Sequence, residues 1–150
     1  MRGNEMNSVL YQFLNEQNRL KNRLQEIDLE IEDLRSAMLP GAIRYDKDNV
    51  MVTPEDHMIE YAAKIEPLAK KRAVIQREYD IAYHEVSKAL DHLVPKQAIV
   101  MRMKYFDRKS NGDIAECLNV SRRRIMQICN ASYEILLNIA LTSPLKYDIL

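Results

Sequence analysis

Residues 110–128 read SNGDIAECLNVSRRRIMQI, and this order prescribes two short helices joined by a tight turn. Ser110 and Ser121 are good N-cap residues, because a serine hydroxyl can accept a hydrogen bond from the backbone N–H of the first helical turn. Asp113 stands where a capping-box-like arrangement wants an acceptor, close to the positive end of the helix dipole. Asn119 tolerates the left-handed conformation that ends many helices. Four residues before it, Ala115 is small enough to let a neighbouring helix approach. Ile114, Leu118, Val120, Ile125 and Ile128 supply branched apolar contacts for the packing faces. The spacing therefore predicts a helix from Ser110 through Leu118, a turn at Asn119-Val120, and a longer helix from Arg122 to about Leu141: a helix-turn-helix.

Immediately upstream, Pro95 opens a supporting helix with Ala98, Ile99, Val100, Met103, Tyr105 and Phe106 as its apolar content, and Asp107-Arg108-Lys109 forms a polar turn. The predicted turn then sets Arg122, Arg123, Arg124, Met126 and Gln127 on the first turns of the last helix, the positions that a recognition helix inserts into the major groove of double-stranded DNA. Guanidinium forks match guanine edges and phosphates, and the Gln127 amide matches an adenine edge. Ser121 and these five residues, with Arg108, Lys109 and Ser110 before them, are the candidate DNA-binding residues. The competing reading is a three-helix cluster with a solvated basic face. Two serine caps, three arginines in phase and the local charge favour DNA.

That charge is concealed by the total. The 150 residues carry 22 Lys+Arg and 22 Asp+Glu. Residues 1–94 hold 13 basic against 17 acidic side chains, and residues 95–150 hold 9 against 5. A basic final third beside an acidic remainder implies a polyanionic partner for one part only.

The remainder is written in heptads. Leu10, Phe13, Gln17, Leu20, Leu24, Ile27, Ile31, Leu34 and Met38 alternate spacings of three and four, with Gln17 the single polar member. Met58, Tyr61, Ile65, Leu68, Arg72, Ile75, Tyr79, Ala82, Val86, Ala89 and Leu93 do the same, with Arg72 expected to snorkel or pair. A 3-4 period sustained this long is coiled-coil patterning. It predicts helices over about 5–39 and 54–93, joined by a loop over 40–53. The seams can close on each other as an antiparallel hairpin or on a second copy of the chain, and self-association is expected either way. Pro67 predicts a kink near Tyr61–Lys64 or a fresh helix start. With only three glycines and five prolines, the fold class is all-α: a coiled coil or hairpin (1–94), a helix-turn-helix domain (95–142) and a tail (143–150).

The stretch LVPKQAIVMRMKYFDRKSNGDIAECLNVSRRRIMQICNASYEIL resembles region 4 of sigma-70-type factors, which reads the −35 promoter element. The preceding PGAIRYDKDNVMVTPEDHMIEYAAKIEPLAKKRAVIQREYDIAYHEVSKAL is similar to phage late-transcription regulators of the RinA and ArpU kind. This resemblance covers about residues 40–140 and is most specific from Tyr105 to Ile128. The chain departs from that family at Asn111, where an aromatic is frequent, and at Gly112, where an acid is frequent. The resemblance implies a phage- or prophage-encoded regulator of transcription, acting in the bacterial cytoplasm on double-stranded DNA, with host RNA polymerase as a protein partner; the homo-oligomeric state is expected from the heptad seams.

Other chemistries lack their residues. His57, His84 and His92 have no metal-ligand spacing, Cys117 and Cys129 are not a CxxC pair, and no P-loop, GxSxG or paired-carboxylate constellation occurs. No enzyme activity, metal or cofactor is expected, and no apolar run approaches a membrane span. Two alternatives to the regulator remain: a small-terminase-like DNA-packaging subunit, whose usual order of helix-turn-helix and oligomerising helices is the reverse of this one, and a coiled-coil interaction protein with a basic tail.

Overall fold

The computed structural model describes residues 2–38 and 54–142. Five helices follow one another: α1 (Arg2–Ala37), α2 (Pro54–Leu90), α3 (Pro95–Tyr105), α4 (Asn111–Leu118) and α5 (Arg122–Thr142). Among the described residues there is no strand, so the all-α expectation holds: two long helices precede three that form the helix-turn-helix. The expected loop 40–53 and tail 143–150 lie outside the described residues.

The long helices differ from expectation at their ends. α2 stops at Leu90 rather than at residue 93, because the chain tightens there: His92 N–H donates to Ala89 O and Leu93 N–H to Leu90 O, both three residues back. Val94 is then extended (φ −65°, ψ 154°), as the residue before a proline prefers. Pro67 does not end α2, which runs through it unbroken. Pro67 and Ala63 are both exposed, so the helical bond that the Ala63 carbonyl loses to the proline is lost at the surface and not in a core.

Two compact units can be distinguished, one of residues 19–80 and one combining residues up to Asn18 with those from Ile81 onward. In the first, α1 and α2 run antiparallel. Arg72 Nε donates to Asp28 Oδ1 at 2.6 Å, and Arg35, farther along α1, hydrogen-bonds Tyr61, earlier along α2. The guanidinium of Arg72 holds the Asp28 carboxyl below its ordinary range. Leu20, Leu24, Ile27 and Ile75 are buried, and Ile31, Leu34, Tyr61, Ile65 and Leu68 are half-buried. Met58, expected on the seam, is exposed. Here the helices pair within one chain.

The second unit has a core of Leu10 and Leu14 from α1, Val86, Ala89 and Leu90 from α2, Val100, Met101 and Tyr105 from α3, Ile114 and Ala115 from α4, and Ile125, Ile128, Cys129 and Leu136 from α5. The expected domain boundary at Pro95 thus cuts through this unit. On α3, Met101 fills the core while Ile99 faces outward. Gln17, only 1% exposed, donates through Nε2 to Tyr105 O at 2.8 Å, and Asn18 Nδ2 donates to the same carbonyl at 2.7 Å. A buried amide with its donor satisfied costs little, whereas an unpaired one would be expensive.

Candidate nucleic-acid interface

The two turns that frame α4 follow from its sequence. Ser110 is extended (φ −71°, ψ 162°) and its side chain accepts from Asp113 N–H at 3.2 Å. At the other end Asn119 adopts the left-handed conformation (φ 55°, ψ 48°). Asn119 N–H reaches Glu116 O, and Val120 N–H reaches Ala115 O at 3.0 Å. These are the two bonds that cap a helix ending in a left-handed residue. Ser121 Oγ then accepts from Arg124 N–H at 3.1 Å, starting α5 directly after the turn. Ile114, Ala115, Ile125 and Ile128 are buried and fasten α4 and α5 to the core.

Burying Ile125, Ile128, Cys129 and Ser132 fixes the opposite side of α5 outward. Ser121, Arg122, Arg123, Arg124, Met126 and Gln127 are all exposed there. None of the three guanidiniums has a hydrogen-bond or ion-pair partner among the described residues. The charge on this surface is therefore not neutralised by neighbours.

The turn before α4 is less available than expected. Ser110 is exposed but its hydroxyl caps α4. Arg108, in the left-handed region at φ 56°, turns its guanidinium to α1: Nε donates to Asn18 Oδ1 at 3.0 Å and Nη2 to Asn18 O at 2.8 Å. Its local role is to brace α1 against the α3–α4 turn. Lys109 is half-buried, with Nζ 3.6 Å from Cys117 Sγ. Arg102 is likewise occupied. It pairs with Asp91 at 2.8 Å, reaches Ser87 Oγ and lies 5.6 Å from the centroid of the Phe106 ring.

Lys104, Asn111 and Gly112, outside the candidate DNA-binding set, complete the surface. Lys104, Ser110, Asn111, Gly112, Arg122 and Met126 line a cleft of about 500 Å³ between α3, the start of α4 and the start of α5. The Arg122 guanidinium rests on Gly112: a Cβ at residue 112 would stand 2.8 Å from Arg122 Nη2. Lys104 gave no signal beyond its charge, and the use of Gly112 depends on a residue ten positions away.

Behind the surface, burial pushes the Tyr105 hydroxyl well above its ordinary range, with a hydrogen bond to Tyr133 adding to the shift. Burial also raises the Cys129 thiol, while Cys117 is exposed. Among the described residues no group of His, Cys, Asp or Glu gathers as a metal site, and no helix is long and apolar enough to cross a membrane.

Residues 89–131 match the family model described as sigma-70, region 4. No curated protein and no solved structure matches the chain. The matched span runs from the end of α2 through α3, α4 and the turn into α5, the elements whose geometry is given above. The segment 89–131 is thus a sigma-70 region-4-like helix-turn-helix, a DNA-binding module of regulatory type.

Proposed function

We propose that the chain is a sequence-specific DNA-binding regulator of transcription, phage- or prophage-encoded and of the RinA and ArpU kind, that activates late genes. The observation that carries the DNA-binding part is the exposed, unpaired arginine face of α5 in a region-4-like helix-turn-helix. Arg123 and Gln127 read base edges in the major groove, and Arg124, Ser121 and Lys109 hold the phosphates on either side. Host RNA polymerase is the protein partner, as befits a region-4-like module beside a promoter. A homo-oligomer, expected from the heptad patterning although α1 and α2 pair within one chain, brings two such modules to one site.

The test is selection of bound duplexes from a random pool, followed by transcription in vitro from a template carrying the selected site upstream of a promoter. A recurring site and a polymerase-dependent rise in transcript are expected. Selection without any consensus would sink the sequence-specific reading. A consensus with no effect on transcription would transfer the protein to DNA packaging.

A further inference from the structure

We infer that the cleft between Lys104 and Arg122 grips one phosphodiester of the DNA backbone, and that Gly112 positions Arg122 for it. The inference rests on the DNA-binding reading above and assigns Arg122 a task different from that of its neighbours Arg123 and Gln127.

Gly112 stands inside α4, where a glycine weakens a helix by roughly 0.5–1 kcal/mol relative to alanine. No glycine among the described residues has positive φ, so backbone conformation does not require one at residue 112. What it provides is space. The point where its Cβ would lie is 2.8 Å from Arg122 Nη2, 3.2 Å from Nε and 3.4 Å from Cζ. The guanidinium is laid against the bare backbone of α4, and a Cβ at residue 112 would require it to shift from this position.

So held, Arg122 is drawn back to the α4 side instead of projecting freely. It lines the same cleft as Lys104 of α3, and no carboxylate lines that cleft. The Arg122 guanidinium has no ion-pair partner among the described residues. The cleft also contains Asn111, whose Oδ1 is buried without a hydrogen-bond partner. Two cations from different helices with no acid beside them make a receptor for a single anionic oxygen group. On a duplex that group is a backbone phosphate.

The experiment measures binding of the full chain to short duplexes of unrelated sequence across a salt series. It compares Arg122→Ala, Lys104→Gln, Gly112→Ala and the double variant Gly112→Ala with Arg122→Ala. Arg122→Ala and Lys104→Gln should each weaken every duplex several-fold and equally, and each should flatten the salt slope by about 0.9. Gly112→Ala should weaken binding while thermal stability is kept or raised, and should add nothing to Arg122→Ala. Inorganic phosphate, at constant ionic strength, should leave duplex affinity unchanged.

Loss confined to one base position in Arg122→Ala would overturn the assignment, as would full affinity in Lys104→Gln or additive losses in the double variant. Competition by inorganic phosphate that Arg122→Ala abolishes would reassign the cleft to the free anion. Absence of any duplex binding by the unaltered chain would instead remove the DNA-binding reading, and the cleft with it. A response to Arg123→Ala with none to the cleft variants removes the cleft alone.

Discussion

Ala115 leaves no room for growth: it is 8% exposed, and its carbonyl accepts from the turn that launches α5. Ala115→Leu should cost ~1–3 kcal/mol by overpacking and abolish duplex binding, measured by melting and by titration; unchanged affinity would contradict the packing of α4 on α5. Arg123 projects from the same helix with nothing to hold it back, so Arg123→Ala should cost ~1–3 kcal/mol on the selected site and relax the preference at one base position. Equal loss on selected and scrambled duplexes would show mere attraction. The interior offers a pH signature. Cys129 and Tyr105 both have their pKa raised by burial above ordinary values of 9.0 and 10.0. For an acid kept neutral by the fold, the unfolded chain loses its proton first, so stability is complete below the unfolded pKa and declines as pH rises past it. Denaturant melts should therefore be flat near neutrality and fall above about pH 9, with a shallower fall above pH 10 in Tyr105→Phe; an unchanged slope in that variant would clear Tyr105 of the effect. The caps at Ser110, Asn119 and Ser121 were legible because each depends on atoms within a few residues. The duty of Arg108 was not, since the Asn18 it braces is 90 residues away and no local rule connects them.

Heptad spacing located the inner sides of α1 and α2 because a helix repeats its faces whatever it packs against. It marked Leu20, Leu24, Ile27 and Ile75, all of which are buried. It passed over Leu14 and Leu90, both 0% exposed, because each lies one position off the stripe, where α1 and α2 belong to the core that includes α3, α4 and α5 and a single narrow seam no longer suffices. Leu24→Asp with Ile27→Asp places two carboxylates among buried apolar groups, and helicity of the hairpin segment by circular dichroism should drop sharply; retained helicity would mean the seam contributes little. Pro67 starts no fresh helix, because propensity is overruled when the turns on both sides are held by tertiary contacts. Its cost should still be present, so Pro67→Ala should raise the melting temperature of the chain, by the equivalent of up to ~3 kcal/mol for a helix-interior proline. No rise would imply that the residue is already compensated.

The all-α class could be read from composition and spacing, but not which distant helices share the core of the helix-turn-helix. Charge and the punctuation of Pro95 both suggested a boundary there, and composition is blind to which distant helix covers a given apolar face. Leu10, Leu14 and Gln17 belong with residues after Ile81. A fragment beginning at Pro95 should consequently be largely unfolded by circular dichroism, and one beginning at Ile81 less stable than the full chain. Full stability of the shorter fragment would show the α1 contacts to be dispensable.

That discontinuity has a consequence for synthesis. On the ribosome the first turns of α1 emerge early, yet the carbonyl that Gln17 and Asn18 grasp belongs to Tyr105. The arms of α1 and α2 within residues 19–80 can pair as soon as both are out, because contacts between segments near in sequence form fast. Leu10 and Leu14 must wait with their apolar surface uncovered until α3 to α5 have left the exit tunnel. The order of assembly is therefore inside-out between Leu10 and Leu136: the hairpin closes first, and the core that α1 shares with α3, α4 and α5 closes after it.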